Sequence, residues 1–160
     1  MNYPAAGGDS DGHTTRDAES SRWLGYLDAT VAVEIVGAVI DLTGPDAVAD
    51  WPFDGQVFAL TAWDPAGATR SRQDNDSQNR SLRVALVDAG AQVWNAVGYA
   101  GPIEQSAFLD EGFVICGLTE TQTLDLARSF GQEAIYGIDS ASLAVVATNL
   151  QSRESRPRCR

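Results

Sequence analysis

The chain has 160 residues, 44% of them hydrophobic and 21% charged, with a formal net charge of −11 at pH 7. That length and composition describe one soluble globular domain with flanks, and no apolar run approaches the ~20 residues that cross a bilayer. The charge argues against nucleic-acid binding. There is no lysine, Arg153, Arg156, Arg158 and Arg160 crowd the last eight residues, and residues 1–150 hold 21 acidic groups against 7 arginines, a net −14 that phosphates repel.

Residues 1–16 are rich in Gly, Ser, Asp and Thr and read as a disordered leader. They show no basic n-region or apolar h-region, so the expectation is a cytoplasmic protein without a secretory signal. Residues 17–150 read as a single α+β domain. A helix is expected over Asp17–Ala29, with Trp23, Tyr26 and Leu27 as its buried stripe. Val31–Leu42 is rich in Val and Ile and reads as one strand, with a bulge at Gly37. Asp46–Trp51, behind Pro45, reads as one helical turn.

Val57–Trp63 is the next expected strand, ended by the turn Asp64-Pro65-Ala66-Gly67. A helix follows over Asp74–Ala89, with Gly90 as its C-cap. Ala91–Val97 reads as a strand, Gly98–Asp110 as irregular, and Gly112–Gly117 as a short apolar strand. Thr119 and Gln122 have the capping-box spacing for a helix that Gly131 closes. Ala134–Ile138 and Leu143–Thr148 read as the last strands, and 151–160 as a disordered arginine-containing tail. From Val57 the order is strand, helix, strand, strand, helix, strand, the split β-α-β order of ferredoxin-like folds. The expected architecture is therefore a ferredoxin-like α+β two-layer sandwich with an extra N-terminal helix and edge strand. A mixed sheet with helices on both faces is the alternative.

The only histidine, His13, lies in the leader, and Cys116 and Cys159 have no metal-ligand spacing. No metal site, and no histidine-based catalysis, is therefore expected. The tryptophans Trp23, Trp51, Trp63 and Trp94 read as packing residues rather than base-stacking platforms.

Four pieces occur in order: F-A-L-T-A-W-D-P; D-N-D-S-Q-N-R-S-L with L-V-D-A-G; D-E-G-F-V-I-C-G-L-T; and L-A-R-S-F-G-Q-E-A-I. Together they resemble a bacterial family of unknown function, number 3293, over Val57 to about Asp139. The resemblance implies no activity, substrate or cofactor. It maps the family's polar positions onto Thr61, Asn75, Asn79, Arg80, Asp110, Glu111 and Gln132. Asp64 stands where the family pattern leads us to expect Asn, and Gly112 where it leads us to expect Ser.

Helical spacing makes the candidate site concrete. Leu82, Leu86 and Ala89 form the inward stripe of the middle helix, and stepping back by three and four reaches Asn79 and Asn75. Both amides should point inward, toward Thr61 and Asp64 at the end of the preceding strand. They either tie down the following loop, with Asn75 as a helix cap, or line a ligand pocket with Arg80. Asp110 and Glu111 read either as a solvated turn or as carboxylates aimed at the same end of the sheet. Gln132 fixes a turn or meets a ligand. No cofactor is expected, although Asp64, Asp74, Asp76, Asp110 and Glu111 leave room for Mg²⁺.

The functional expectation is a non-catalytic binding or regulatory module that takes a small polar ligand or a basic protein, with no nucleic-acid and no membrane partner. One alternative is a small enzyme using Asp64, Asp110 or Glu111 as acid and base. Another is an antitoxin or immunity-type neutraliser of a basic partner.

Overall fold

The computed structural model describes residues 23–65, 68–101 and 109–159. The leader, His13 and the first part of the expected N-terminal helix lie outside them. Residues 23–28 are helical (α1). Then follow β1 (Thr30–Ile35), β2 (Ala38–Asp41), β3 (Val57–Leu60), α2 (Arg72–Asp88), β4 (Gln92–Tyr99), β5 (Leu109–Cys116), α3 (Glu120–Ser129), β6 (Ala134–Ile138), β7 (Ser142–Ala147) and β8 (Arg153–Pro157). None of the described helices is long and apolar enough to cross a membrane.

The strands form one eight-stranded sheet in the order β2-β1-β4-β5-β3-β6-β7-β8. Every neighbouring pair is antiparallel. Helix α2 crosses from β3 to β4 and α3 from β5 to β6, each passing over one intervening strand. The protein is thus α+β, as expected, with more sheet than a two-layer sandwich requires.

Local chemistry accounts for the helix ends. Ser71 caps α2, its Oγ accepting the Asp74 N–H at 3.1 Å. At the other end Gly90 takes φ +94°, and the Ala91 N–H turns back to the Leu86 carbonyl. Asn75 is therefore not a cap; it lies inside the first turns of the helix. Helix α3 carries the expected capping box, with Gln122 Oε1 accepting the Thr119 N–H at 2.9 Å.

Four expectations change. Val31–Leu42 is a hairpin rather than one strand: Val36 and Gly37 take φ +50° and +76°, a two-residue turn matched to strand twist. The stretch 46–51 forms no helical turn, because its neighbourhood is engaged elsewhere. Val48 N–H bonds to the Asp41 carbonyl, Gly44 N–H to the Arg158 carbonyl, and the Arg158 guanidinium to the Leu42 and Val48 carbonyls. Asp110 and Glu111 lie within β5, paired with Gly98 and Val97 of β4, rather than in a turn before it. Finally, the expected tail is β8, paired along β7 from Ser142↔Pro157 to Val146↔Arg153. Two of its arginines are structural: Arg156 donates to the Leu27 and Ala29 carbonyls, and Arg158 is buried.

These last contacts curl the sheet, and a parallel bridge between Gly44 and Cys159 joins the segments beyond its two edge strands. Both faces are consequently covered, which is why β3 reads Val-Phe-Ala-Leu without polar alternation. On one face α2 and α3 pack Leu82, Leu86, Leu124 and Ala127 onto Phe58, Ile115 and Ile135. The other, concave face holds Val33, Leu42, Val57, Val114, Ile138 and Leu143. Trp51, Phe53 and Trp94 plug one end of that face, with successive ring centroids 5.4 and 5.0 Å apart. Helix α1 lies toward the other end, with Tyr26 edge-on to Tyr136 at 6.5 Å.

Candidate functional site

The chain beyond β3 runs Thr61–Pro65 without sheet partners, so its polar groups need side-chain partners. Asn79, buried in α2, supplies two of the bonds. Its Oδ1 accepts the Ala62 N–H at 2.8 Å and its Nδ2 donates to the Glu111 carbonyl at 2.8 Å. Asn75, one turn earlier and also buried, accepts the Asp64 N–H at 3.0 Å and donates to Asp64 Oδ1 at 2.9 Å. Thr61 Oγ1 donates to the Glu111 carbonyl and accepts the Trp63 N–H at 3.0 Å. From the start of β6, Gln132 Nε2 reaches the Trp63 carbonyl at 2.9 Å.

Thr61, Asp64, Asn75, Asn79 and Gln132 therefore come together as the spacing argument requires. Their polar atoms bond mainly to the backbone, forming a clamp that fixes the end of β3 onto α2 and β5. Asp64 sits in the left-handed region at φ +37° and its Oδ1 also accepts the Arg70 N–H at 2.8 Å. Asp and Asn tolerate that conformation better than most residues.

The clamp separates the remaining candidates. Along β5 the side chains alternate, so Asp110 and Glu111 serve opposite faces. Glu111 pairs with Arg72 at 2.7 Å on the helix side. There, with Arg80, Arg83 and Glu34, it lines a groove of about 460 Å³ between α2 and the β1–β2 wing. Arg80 is exposed in that groove, away from the concave face. Asp74 accepts from Ser71 Oγ at the helix cap, and Asp76 lies 3.7 Å from Arg72. Among the described residues no three His, Cys, Asp or Glu side chains gather as a metal site would need.

Asp110 faces the open end of the curled sheet, where the concave core gives way to a cavity of about 580 Å³. Small residues leave that space: Ala59 in β3, Ala96 and Gly98 in β4, and Ala29 after α1. Tyr26, Trp63 and Tyr136 supply aromatic wall, while Thr61, Asp64, Asp110 and Gln132 supply polar groups. Partial loss of hydration, and secondarily the Asp64 charge, raises the Asp110 carboxyl above the usual aspartate range. The Asp110 carboxylate makes no hydrogen bond or ion pair with the described residues. The Tyr136 phenol is raised by burial and donates to the Tyr26 carbonyl at 3.1 Å. Trp63 Nε1 is buried with no acceptor among the described residues, and the Arg72 guanidinium stands 5.5 Å from its ring.

The polar groups of this wall at Thr61, Asp64, Asp110 and Gln132 were all singled out from the sequence, three of them through the clamp. Sequence reasoning missed Tyr26, Tyr136 and the small residues. The available signal was the period-two run Ala96, Gly98, Ala100 in one strand, a row with nothing to fill the space before it.

The resemblance read from the sequence is borne out: residues 60–135 match the model of a family described as Protein of unknown function (DUF3293). No curated protein and no solved structure matches the chain. The geometry explains both departures from the pattern read in the sequence. Asp serves at position 64 because the side chain acts there only as an acceptor. A Cβ at Gly112 would sit 2.5 Å from the Leu60 carbonyl oxygen and 3.0 Å from Thr61 Cβ. Backbone on one side and the clamp on the other leave it no room. Gly112→Ala is expected to lower stability by about 2 kcal/mol, measured by urea unfolding, as overpacking of a fixed contact does.

Proposed function

We propose that this chain, whose residues 60–135 match the DUF3293 family, is a non-catalytic binding module. On this reading it takes a small organic molecule into the cavity at the open end of its curled sheet. The observation that carries the reading is the cavity itself. At about 580 Å³ it is of ligand size, its walls are largely apolar, and a few polar groups converge on it. The clamp of Asn75 and Asn79 belongs to this reading as scaffold, holding Thr61, Trp63 and Asp64 at the cavity wall.

Gly98 provides the test. Its backbone is not left-handed, and a Cβ there would meet nothing closer than the Asp110 carbonyl at 4.0 Å. Gly98→Leu should therefore occupy the cavity without disturbing the sheet. A metabolite panel read by thermal shift is expected to raise Tm for at least one compound with the native chain and for none with Gly98→Leu. A panel without a hit, or a hit that survives the substitution, would sink the reading.

A second reading, a small enzyme with Asp64 and Asp110 as acid and base, draws on the raised Asp110 carboxyl. Conversion of the bound compound, followed by mass spectrometry, separates it from simple binding. The inner order β4-β5-β3-β6 with two helical crossovers supports a ferredoxin-like core for either reading.

A further inference from the structure

The occupant's chemistry is written in the charges of the wall. Among the described residues lining the cavity, Asp64 and Asp110 are the charged ones, and no Arg, Lys or His among them offsets the two. Asp64 turns Oδ1 into the clamp, and no bond to the described residues engages its Oδ2. Among the described residues the Asp110 carboxylate has neither hydrogen bond nor ion pair. Asp110 is exposed at the mouth of this apolar recess, where a carboxylate gains from a cation placed beside it. The surroundings suit a cation with an apolar body: Tyr26, Trp63 and Tyr136 line the recess, and aromatic rings attract ammonium groups through their quadrupole. The Tyr136 hydroxyl is already bonded to the Tyr26 carbonyl, so that side chain has no proton left to donate to an anion. A phosphate or carboxylate ligand would meet two negative charges and no cationic partner among the described lining residues, which tells against nucleotides and organic acids.

We infer that the cavity selects a compact organic monocation, an amine or guanidine carrying a flat or apolar body, with Asp110 as its counter-charge and the aromatic wall around its body. This rests on the binding reading above and adds the ligand class to it. The site should prefer charge over shape, and loss of the Asp110 charge alone should abolish the preference.

Three probes share one ring and differ in charge: phenethylamine, 2-phenylethanol and phenylacetate. Calorimetric titration at neutral pH into the full chain is expected to show phenethylamine binding at least about tenfold more tightly than 2-phenylethanol, with no heat from phenylacetate. Asp110→Asn keeps size and removes charge at an exposed group that bonds to no other described residue, so the fold should survive. It should bring phenethylamine down to the level of 2-phenylethanol. Equal affinity for the amine and the alcohol, tighter binding of phenylacetate, no phenethylamine heat up to about 10 mM, or an Asp110→Asn variant that binds the amine as before, each overturns the cation assignment. None of these outcomes touches the binding reading, which falls only if the wider panel gives no hit or a hit survives Gly98→Leu.

Discussion

Replacement of Asn79 by alanine is expected to cost about 3 kcal/mol of folding stability, a midpoint shift readily seen in urea unfolding. The loss is large because the amide is buried and serves two elements at once. Without it the Ala62 N–H and the Glu111 carbonyl, 2.8 Å from its two ends, lose their partner in a place that Ala cannot hydrate. Asn79→Asp retains the acceptor for Ala62 but sets a carboxylate oxygen against the Glu111 carbonyl, so it should fail as badly as alanine. Asn75→Ala should cost less, about 1–2 kcal/mol, since the Asp64 groups it meets are only partly buried. If Asn79→Ala unfolds at the native midpoint, the clamp is ornamental and the end of β3 is held by something else.

Arg158 carries the second large effect. Its guanidinium is buried among carbonyls rather than carboxylates: Nη1 donates to Leu42 at 3.0 Å and Val48 at 2.9 Å, and Nε donates to Ser140 at 3.1 Å. The Trp51 ring lies 5.3 Å away. One side chain thus ties the segment after β2 to the β6–β7 turn, and no other residue type has a planar fork of donors to do so. Arg158→Ala is expected to cost about 4 kcal/mol, leaving buried carbonyls unpaired beside a void. Arg158→Lys keeps the charge, loses the fork, and should still cost about 2 kcal/mol. Arg153, on the same strand, provides the contrast. It pairs with Glu120 at 2.9 Å in the open, and Arg153→Ala should shift stability by no more than about 0.5 kcal/mol. Equal effects at the two positions would mean that β8 contributes as a strand and not through this guanidinium.

Much of the middle of the chain was legible because its signals are local. The capping box at Thr119, Gly90 beyond α2, and the three-and-four spacing of Asn75, Asn79, Leu82 and Leu86 depend on neighbours within a turn or two. The inward direction of the amides followed from that spacing alone. What they bond to did not, because the Glu111 carbonyl lies 32 residues from Asn79 in sequence. The C-terminal strand was hidden for the opposite reason. Arg-Glu-Ser-Arg-Pro has the composition of a solvated tail, and its place in the sheet is set by distant carbonyls that no local pattern announces. The cavity was illegible for a third reason. It is made of absences, small side chains on four separate segments, and only the curl of the sheet sets those absences opposite one another.

The seam that closes this curl has a kinetic side. Arg156 meets the Leu27 carbonyl across 129 positions of chain, and Arg158 meets that of Leu42 across 116. Joining such remote partners carries the full entropy of closing a long loop, and it is rewarded only after the intervening strands stand in order. Strands β3 to β7 should therefore assemble as a nucleus, and the outer flanks zip onto it last. Until they do, the aromatic plug and the future ligand recess remain open to water, so the binding-competent protein is the final product of the pathway.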